Sequence, residues 1–528
     1  MVDHYLCLRS IYPPIFASAP IDAKAAIMVD TDTGQIIYEQ NAQQQLPVAS
    51  ISKLLTVAVI HDELQNHIIN DYTKVKVTPD IAAISNDPSY SSVGLVSGQS
   101  YPVIELLNAA MVKSADGATI ALATAAGNSP DEFVLKMDQK AHEIGLHKAS
   151  IVNPTGLTNH EMKNLRSNNF PDNAENAMNA QDVAVLTRYL VQTYPQILQV
   201  SAQKKVNILI SKHNVKSVDN LNKMLPGDQF TVPGVKITGL KTGTSDKAGA
   251  CFVSTGIYQK HHIITVVLHA NGQNHDNRFV QTQKLYRMLK NRYYLQKINL
   301  PNNIVKTKVA HGSRSMITTK PSTLTVWRAE KLTSYTVSQN FDNRLTNHTS
   351  TLQAPIKIGQ RIGSIRLTSS KLKTITNEPL TYPLYSNETV TKGTLLERLF
   401  SKWTNLFKNS HRAFIQRFVG IRHYKSMISG SKSMAFKNLK RSSVLMKMVW
   451  VFSFGWKVWI GSSTMSLSKY TFTLWSLLFN RPNGETIPGS RPNSSSRCSG
   501  RAMETRLAPV MSINSWKSIR FLSSMITM

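Results

Sequence analysis

The stretch VKITGLKTGTSDKAGACFVSTGIYQKHHIITVVLHA, residues 235–270, contains three apolar runs that are rich in β-branched residues. The runs cover 235–244, 250–257 and 261–270, and only a few polar residues separate each run from the next. Separators this short favour strands that pair with their neighbours in an antiparallel meander. The sequence therefore predicts a sheet here, followed by a helix over 277–290.

Outside this stretch, strands are predicted at the start of the chain and helices in the middle. Residues 25–38, AAIMVDTDTGQIIY, form two apolar runs around a polar turn and predict a hairpin. Helices are predicted from about Ser50, over 103–126 with a polar break, and over 180–193. These elements predict an α+β domain at 22–297, with a mixed antiparallel sheet flanked by helices and a helical lobe.

Two further segments follow this domain. From 298 to 388 the composition shifts to Thr, Ser, Val, Ile and Lys with little helical pattern, which predicts a separate small all-β domain. An amphipathic helix is predicted at 389–409, because 393–409 (GTLLERLFSKWTNLFKN) carries an apolar stripe at helical spacing. Such a stripe is either a core face or an in-plane anchor on a membrane surface, and cationic flanks favour the anchor at least equally.

The formal net charge of +30 is concentrated at the end of the chain. Residues 410–528 contain 18 Lys and Arg against two acidic residues, Glu485 and Glu504. A basic tail suggests a polyanionic partner, but this one has no sustained periodicity and no recognisable nucleic-acid-binding module. We interpret it as disordered or as the product of read-through translation, with nucleic-acid binding as the alternative. No nucleic-acid partner is expected for the remainder of the chain.

The start of the chain resembles the end of a signal peptide. Ala17-Ser18-Ala19 is typical of a signal-peptidase site, although the preceding run contains two prolines. Residues 1–21 are therefore interpreted as a remnant signal peptide, which indicates export to the outer face of a bacterial plasma membrane or to the cell wall. The three cysteines are far apart in the sequence and odd in number, so they support neither a disulfide framework nor a zinc site.

Ser50 and Lys53 form a Ser-x-x-Lys pair in an apolar setting, LPVASISKLLTV at 46–57. Residues three apart lie on the same face of a helix, so the hydroxyl and the amine can meet. A buried lysine loses its proton more easily than an exposed one and can then activate a hydroxyl. The alternative is a lysine whose head group merely reaches the surface.

Two more motifs add to this pair. Lys241-Thr242-Gly243-Thr244 lies on a predicted strand, where the glycine lets a ligand approach the backbone and the polar side chains can receive a carboxylate. Ser114-Ala115-Asp116 lies in the predicted break between two helices. The alternatives are an ordinary polar edge strand for the first motif and a helix cap for the second.

In this order, the three motifs match the signature of penicillin-binding proteins and serine β-lactamases. The chain resembles the serine-type D-alanyl-D-alanine carboxypeptidases, low-molecular-mass penicillin-binding proteins with a β-lactamase/transpeptidase-like fold. NPTGL (153–157), NAQDVAVLTRYL (179–190), NLNKML (220–225) and APIKIGQRIG (354–363) resemble segments of that family in the same order. The likeness extends over roughly 22–409.

The resemblance implies a role for each motif. Ser50 would attack the bond between the two terminal D-alanines of a peptidoglycan stem peptide, Lys53 would take its proton, and Ser114 would relay a proton to the leaving amine. The terminal carboxylate would be held by Lys241, Thr242, Gly243 and Thr244, and backbone N–H groups of Ser50 and Thr244 would form the oxyanion hole. β-Lactams would acylate Ser50 as substrate mimics. No metal or organic cofactor is implied.

Asp116 departs from the family pattern, which usually has asparagine in this substrate-binding position. An ionised aspartate only accepts hydrogen bonds, whereas asparagine also donates them. An ion pair between Asp116 and Lys53 would stabilise the protonated lysine and weaken it as a base. The sequence therefore predicts either lower activity or a local network that compensates.

Three other functions remain open from the sequence. A β-lactamase shares the three motifs, although it would lack the appended β domain, and a transpeptidase would use the same acyl-enzyme with an amine acceptor. A catalytically impaired cell-wall-binding protein is the third, since both ends of the chain are atypical. The intact Ser50, Lys53 and Lys241–Thr244 favour an enzyme.

Overall fold

The structure is a computed structural model that describes residues 20–211 and 214–394. The predicted signal-peptide remnant at 1–21, the predicted helix at 389–409 and the basic tail at 410–528 lie outside these residues, except for 20–21 and 389–394. Among the residues described, no helix is both long enough and apolar enough to span a membrane.

The first part of the chain alternates strands and helices. Its strands are β1 (Ala23–Asp30), β2 (Ile36–Gln40), β3 (Leu46–Pro47), β4 (Lys74–Lys76), β5 (Ser100–Pro102), β6 (Ala177–Met178), β7 (Lys205–Ser211), β8 (Asn214–Asp219), β9 (Lys236–Ser245), β10 (Gly249–Tyr258) and β11 (His261–Ala270). Its helices are α1 (Lys53–Gln65), α2 (Pro79–Ser85), α3 (Val103–Asn108), α4 (Asp116–Ala123), α5 (Pro130–Ile144), α6 (Ala180–Thr193), α7 (Gln196–Ser201) and α8 (Asn277–Arg292).

The main sheet has the order β2-β1-β11-β10-β9, and all four neighbouring pairs are antiparallel. The hairpin, the meander and the closing helix predicted from the sequence are all present, and the predicted α+β fold is confirmed. One detail differs: Ser50 lies on a 3-10 turn, Ala49–Ser52, and the α-helix begins only at Lys53.

Both faces of the main sheet are buried, because its side chains alternate between two cores. Ala25, Ile27 and Val29 of β1 pack into the core shared with the helical lobe, whereas Ala26 and Met28 belong to the core that α8 covers. Strands that are buried on both sides need apolar residues at every position. This explains why the strand sequences are continuous apolar runs rather than alternating ones.

The second part of the chain is almost entirely β-structure. Its elements are β12 (Tyr294–Asn299), α9 (Asn302–Val305), β13 (Lys306–Ala310), β14 (Met316–Lys320), β15 (Thr323–Arg328), β16 (Thr336–Phe341), β17 (Leu352–Gln353), β18 (Arg361–Thr368) and β19 (Leu380–Ser386). Strands β12 and β15 pair with each other, and the remaining strands form a sheet in the order β16-β18-β19-β14-β13-β17. The predicted domain boundary between 297 and 298 falls inside β12.

This β-rich part has a core of its own but is firmly docked on the first part. Trp327 is 2% exposed within the core beneath α8, and its indole N–H donates to the Asp30 carboxylate at 2.9 Å. The side chain of Gln35 bonds both the backbone N–H and the carbonyl of Trp327, at 2.9 and 2.7 Å. Ile375 fills the other core of the first part. The interface is therefore continuous with both hydrophobic cores.

Trp327→Ala is expected to lower the free energy of unfolding by about 3–5 kcal/mol, because it removes a large buried side chain and leaves a cavity. It also removes one hydrogen-bond donor from the buried Asp30 carboxylate. Chemical denaturation measures this change. Tyr72→Ala is a suitable control, since Tyr72 is 79% exposed and its loss is expected to cost within about 0.5 kcal/mol. Equal stability of the two variants would contradict the proposed docking role.

Candidate active site

Ser50 is held on a tight turn that two glycines allow. Ala49, just before it, has the left-handed backbone angle φ 46°. A Cβ atom on Gly156 would collide with the carbonyl oxygen of Ala49, and one on Gly243 would collide with that of Val48. The NPTGL segment and strand β9 therefore pack closely against the backbone of the turn that carries Ser50. Left-handed backbone at non-glycine residues is costly and concentrates at functional sites.

Gly156→Ala is expected to displace the Ser50 turn and to abolish most β-lactam acylation. Gly156 combines a positive φ of 85° with the collision against Ala49. Gly145→Ala is the matched control, because Gly145 has φ 84° but has no atom within 4 Å of the Cβ position. Both variants carry similar backbone strain, so only the first should lose labelling by a fluorescent penicillin. Equal loss in both would contradict a specific role for the close approach.

Lys53 is the most deeply buried charged group at this site, with 0% exposure. Its Nζ lies 2.6 Å from Ser50 Oγ, 2.7 Å from Asp116 Oδ1 and 3.0 Å from the carbonyl oxygen of Thr155. An ammonium can donate to all three oxygens. A neutral amine can instead donate to Asp116 and Thr155 while its lone pair faces the Ser50 hydroxyl. The geometry therefore suits Lys53 in both protonation states.

Burial lowers the pKa of Lys53 below its usual value, and this effect outweighs the opposing charge and hydrogen bond of Asp116. The ion pair anticipated from the sequence is present, at 2.7 Å. The sequence predicted that this ion pair would hold Lys53 in its protonated form. The effect of burial is larger, because the ammonium loses more hydration free energy than the Asp116 carboxylate restores. Burial therefore makes Lys53 easier to deprotonate than an exposed lysine.

Asp116 begins helix α4 and is 3% exposed. Its Oδ1 accepts from Lys53, while its Oδ2 accepts from the backbone N–H of Ser91 at 3.2 Å. Its own backbone N–H donates to the carbonyl of Ser91 at 2.9 Å. Asp116 therefore joins Lys53 to the loop that follows α2, and both carboxylate oxygens are used within the protein.

Ser114 follows the π-helical turn Ala109–Lys113 and has a left-handed backbone, with φ 62° and ψ 27°. It is 3% exposed, and among the residues described its hydroxyl has no hydrogen-bond partner. Ser114 makes no direct contact with Lys53. It lies two residues before Asp116, which does contact Lys53. A hydroxyl without a partner, on a residue that is otherwise buried, is available to a ligand.

Lys241 to Thr244 lie on β9, the edge strand of the main sheet. Lys241 is 2% exposed, and among the described residues its side-chain nitrogen donates only to the carbonyl of Thr242, at 3.2 Å. Burial, and then the charge of Lys53, hold the pKa of Lys241 well below its usual value, whereas Asp116 acts in the opposite direction. An anionic ligand group beside this buried amine would favour its protonated form, so the position suits an anion.

Arg278, on α8, supports the end of this strand and was not predicted from the sequence. Its guanidinium donates to Thr244 Oγ1 at 2.7 Å and to the carbonyl oxygens of Gly243 and Cys251 at 2.8 and 3.1 Å. It is 4% exposed. One arginine among 61 basic residues carries no local signal, so only the packing of α8 on β10 and β11 reveals it.

The NPTGL segment also contributes through its backbone. Asn153 Oδ1 accepts from the N–H groups of Thr155 and Gly156 and from the Thr155 hydroxyl, at 2.8–3.0 Å. This cap fixes the turn that presents the Thr155 carbonyl to Lys53. The side chain of Asn176 in turn holds the backbone at Val152 and Asn153. Carbonyl groups cannot be identified from a motif, so this contact was also missed.

Comparison with known proteins agrees with this geometry. The family model described as D-alanyl-D-alanine carboxypeptidase matches residues 14–272. The D-alanyl-D-alanine carboxypeptidase DacF of Bacillus subtilis is 26% identical over 399 residues, which cover 72% of this chain and 90% of that protein. DacC of Escherichia coli is 25% identical over 354 residues, covering 65% and 80%.

A solved structure extends the comparison to the β-rich part. The peptidoglycan synthesis regulatory factor PBP3 of Streptococcus pneumoniae aligns with a TM-score of 0.62 and 30% identity, over 70% of this chain and all of that one. The order of motifs, the Ser50–Lys53 geometry and these relatives lead to one conclusion. The chain belongs to the family of serine-type D-alanyl-D-alanine carboxypeptidases, hydrolases of cell-wall metabolism.

Proposed function

We propose that this chain removes the terminal D-alanine from peptidoglycan stem pentapeptides through an acyl-enzyme on Ser50. The observation that carries the proposal is the 2.6 Å contact between Ser50 Oγ and the buried Nζ of Lys53. As Oγ bonds to the carbonyl carbon, its proton passes to the neutral Lys53 amine. The carbonyl electrons move onto oxygen, where backbone N–H groups of Ser50 and Thr244 would receive them.

Ser114 is proposed to deliver a proton to the departing amine. When the carbonyl re-forms, the C–N bond breaks and D-alanine needs a proton on its nitrogen. The Ser114 hydroxyl has no partner among the described residues and lies two positions before Asp116, which contacts Lys53, so we propose that it relays the proton from Lys53 to the leaving group. Water then attacks the ester, with Lys53 again as base, and restores Ser50.

The terminal carboxylate of the substrate is proposed to lie against β9. Lys241 supplies a buried amine that a bound carboxylate would hold in its protonated form, and the hydroxyls of Thr242 and Thr244 supply donors. Arg278 already donates to Thr244 Oγ1, which leaves the Thr244 proton free to point at the carboxylate. Asp116 contacts Lys53 and Ser91 instead, so we assign it as a positioning residue rather than a substrate ligand.

Labelling by a fluorescent penicillin tests the proposal. The wild-type chain should be labelled, and Ser50→Ala should not. Ser370→Ala is the matched control, because Ser370 and Lys373 have the same Ser-x-x-Lys spacing in the β-rich part. Labelling that survives in Ser50→Ala would refute Ser50 as the acylated residue, and rapid release of hydrolysed penicillin would favour a β-lactamase.

We further propose that the protein works outside the plasma membrane. Ala17-Ser18-Ala19 and the apolar stripe at 393–409 support export and attachment to a membrane surface. The substrate lies in the cell wall, so an internal enzyme could not reach it. Fractionation of cells should place penicillin labelling with the wall and membrane fractions, and recovery only in the cytosol would contradict the proposal.

A further inference from the structure

One face of the six-stranded sheet in the β-rich part is strongly cationic. Alternate residues of its strands fill the core of this part, and the others point outward. We define the basic face by its outward cations, which are Lys306, Lys308, Lys320, Arg361 and Arg366. The apolar outward residues among them are Met316, Pro383 and Tyr385.

The strand register brings these residues side by side. Tyr385 of β19 lies opposite Lys320 on one neighbouring strand and opposite Arg361 on the other. On the next pair of strands, Met316 lies opposite Lys308. Directly opposed residues are in side-chain contact range. The basic face thus alternates cations with exposed apolar side chains across the sheet.

One acidic side chain reaches this face, since Glu388 accepts from the hydroxyl of Thr318 at 2.6 Å and Thr318 lies opposite Lys306, but the cations outnumber the acidic groups. Residues 298–394 contain 13 Lys and Arg against four acidic residues. Glu388 pairs with Arg314, and Asp342 pairs with Arg344. The hydrogen bonds from Arg344 hold the Asp342 pKa at about 2, and the charge of Arg361 acts in the same direction. Within the described residues, no cation of the basic face forms an ion pair.

Three apolar side chains of the β-rich part are unusually exposed. Met316 is 43% exposed, Tyr385 37%, and Ile358 65%. Ile358 lies next to the segment that leaves the sheet, since its N–H donates to Thr389 Oγ1 at 3.1 Å. That segment continues into 395–409, where the sequence carries the apolar stripe.

We propose that the basic face docks on a lipid surface rich in anionic headgroups. Cations on long stems surrounding tyrosine and aliphatic side chains match the interface of an anionic bilayer, where the charges meet headgroups and the apolar groups enter the boundary layer. A soluble polyanion would engage the cations but would leave Met316, Tyr385 and Ile358 in water. The proposal does not depend on the chemistry at Ser50.

A local probe in the full chain separates this face from any contribution of the tail. Tyr385→Cys, in a Cys7→Ser/Cys498→Ser background, receives a fluorescent label, since the remaining Cys251 is buried. On vesicles of phosphatidylglycerol and phosphatidylcholine, a lipid-borne quencher should quench this label. The control label at Lys76→Cys, on exposed β4 of the first part, should stay unquenched.

Charge reversal tests the cations separately. Lys320→Glu/Arg361→Glu should weaken vesicle affinity about 25-fold or more, since each cation near an anionic surface contributes about fivefold. Lys74→Glu/Lys76→Glu makes the same charge change on β4 and should weaken it less. Equal effects of the two pairs, an unquenched label at residue 385 on bound protein, or equal binding to phosphatidylcholine alone would overturn the proposal. Polyphosphate serves as the soluble polyanion for comparison. The proposal would also be overturned if Lys320→Glu/Arg361→Glu lost polyphosphate binding but retained vesicle binding.

Discussion

Replacing Lys53 by methionine is expected to slow acylation of Ser50 by roughly two to four orders of magnitude, the usual contribution of a general base. Methionine fills the space of the lysine stem but cannot accept the proton of the Ser50 hydroxyl, which lies 2.6 Å from Nζ. The acylation rate with a fluorescent penicillin measures the loss. Lys204→Met is the matched control, because Lys204 forms a Ser-x-x-Lys pair with Ser201 and is half exposed at the surface.

Lys53→Met also leaves the Asp116 carboxylate without its cation, so a second variant is needed to separate chemistry from folding. Lys53→Arg retains a positive charge beside Asp116, but a guanidinium does not lose its proton in proteins. A folded Lys53→Arg chain that acylates slowly would support Lys53 as the base. A folded variant of either kind that acylates within about tenfold of the wild-type rate would contradict it.

The second large effect is expected at Asp116. Asp116→Ala should lower the free energy of unfolding by about 3–5 kcal/mol, since it breaks a buried ion pair and leaves one partner uncompensated. Lys53 would lose its 2.7 Å contact, and the N–H of Ser91 would lose its acceptor. Chemical denaturation measures the change. Asp116→Asn is the conservative comparison, because its single amide oxygen still accepts from one of the two donors, so it should cost less.

Asp116→Asn is also expected to change the pH dependence of acylation, in the direction that favours the neutral form of Lys53. The carboxylate raises the pKa of Lys53 against the larger lowering by burial. Removing its charge therefore lowers that pKa further, so more of the lysine is neutral at a given acidic pH. The acidic limb of the kcat/KM profile should move to lower pH. An unmoved limb would show that Asp116 does not tune Lys53, and a shift to higher pH would contradict the electrostatic account.

The parts of the fold that depend on local pattern could be predicted from the sequence. The meander at 235–270 and the helix at 180–193 have strong periodicity and short connections, and the structure has them within one or two residues. The boundary near 298 was less well placed, because β12 pairs with a strand about thirty residues later. The docking of Trp327 into the first part is a long-range contact with no local signal.

In the candidate site, too, some residues could be predicted from local motifs and others could not. Ser50, Lys53 and Asp116 were identified from spacing within short motifs, and the structure brings these three into contact. The carbonyl of Thr155 and the guanidinium of Arg278 could not be identified, because one is a backbone group and the other comes from a helix with many basic residues. The sequence also could not show whether the pKa of Lys53 is raised or lowered relative to an ordinary lysine, since burial and ion pairing act in opposite directions.

Release of D-alanine from a stem pentapeptide, measured alongside mass-spectrometric mapping of the trapped acyl group, tests the central claim most directly. The account predicts that the wild-type chain releases D-alanine and that the acyl group maps to the peptide containing Ser50. It predicts neither release nor acyl peptide for Ser50→Ala. Release that persists in the Ser50→Ala chain, or an acyl group on another residue, would contradict it.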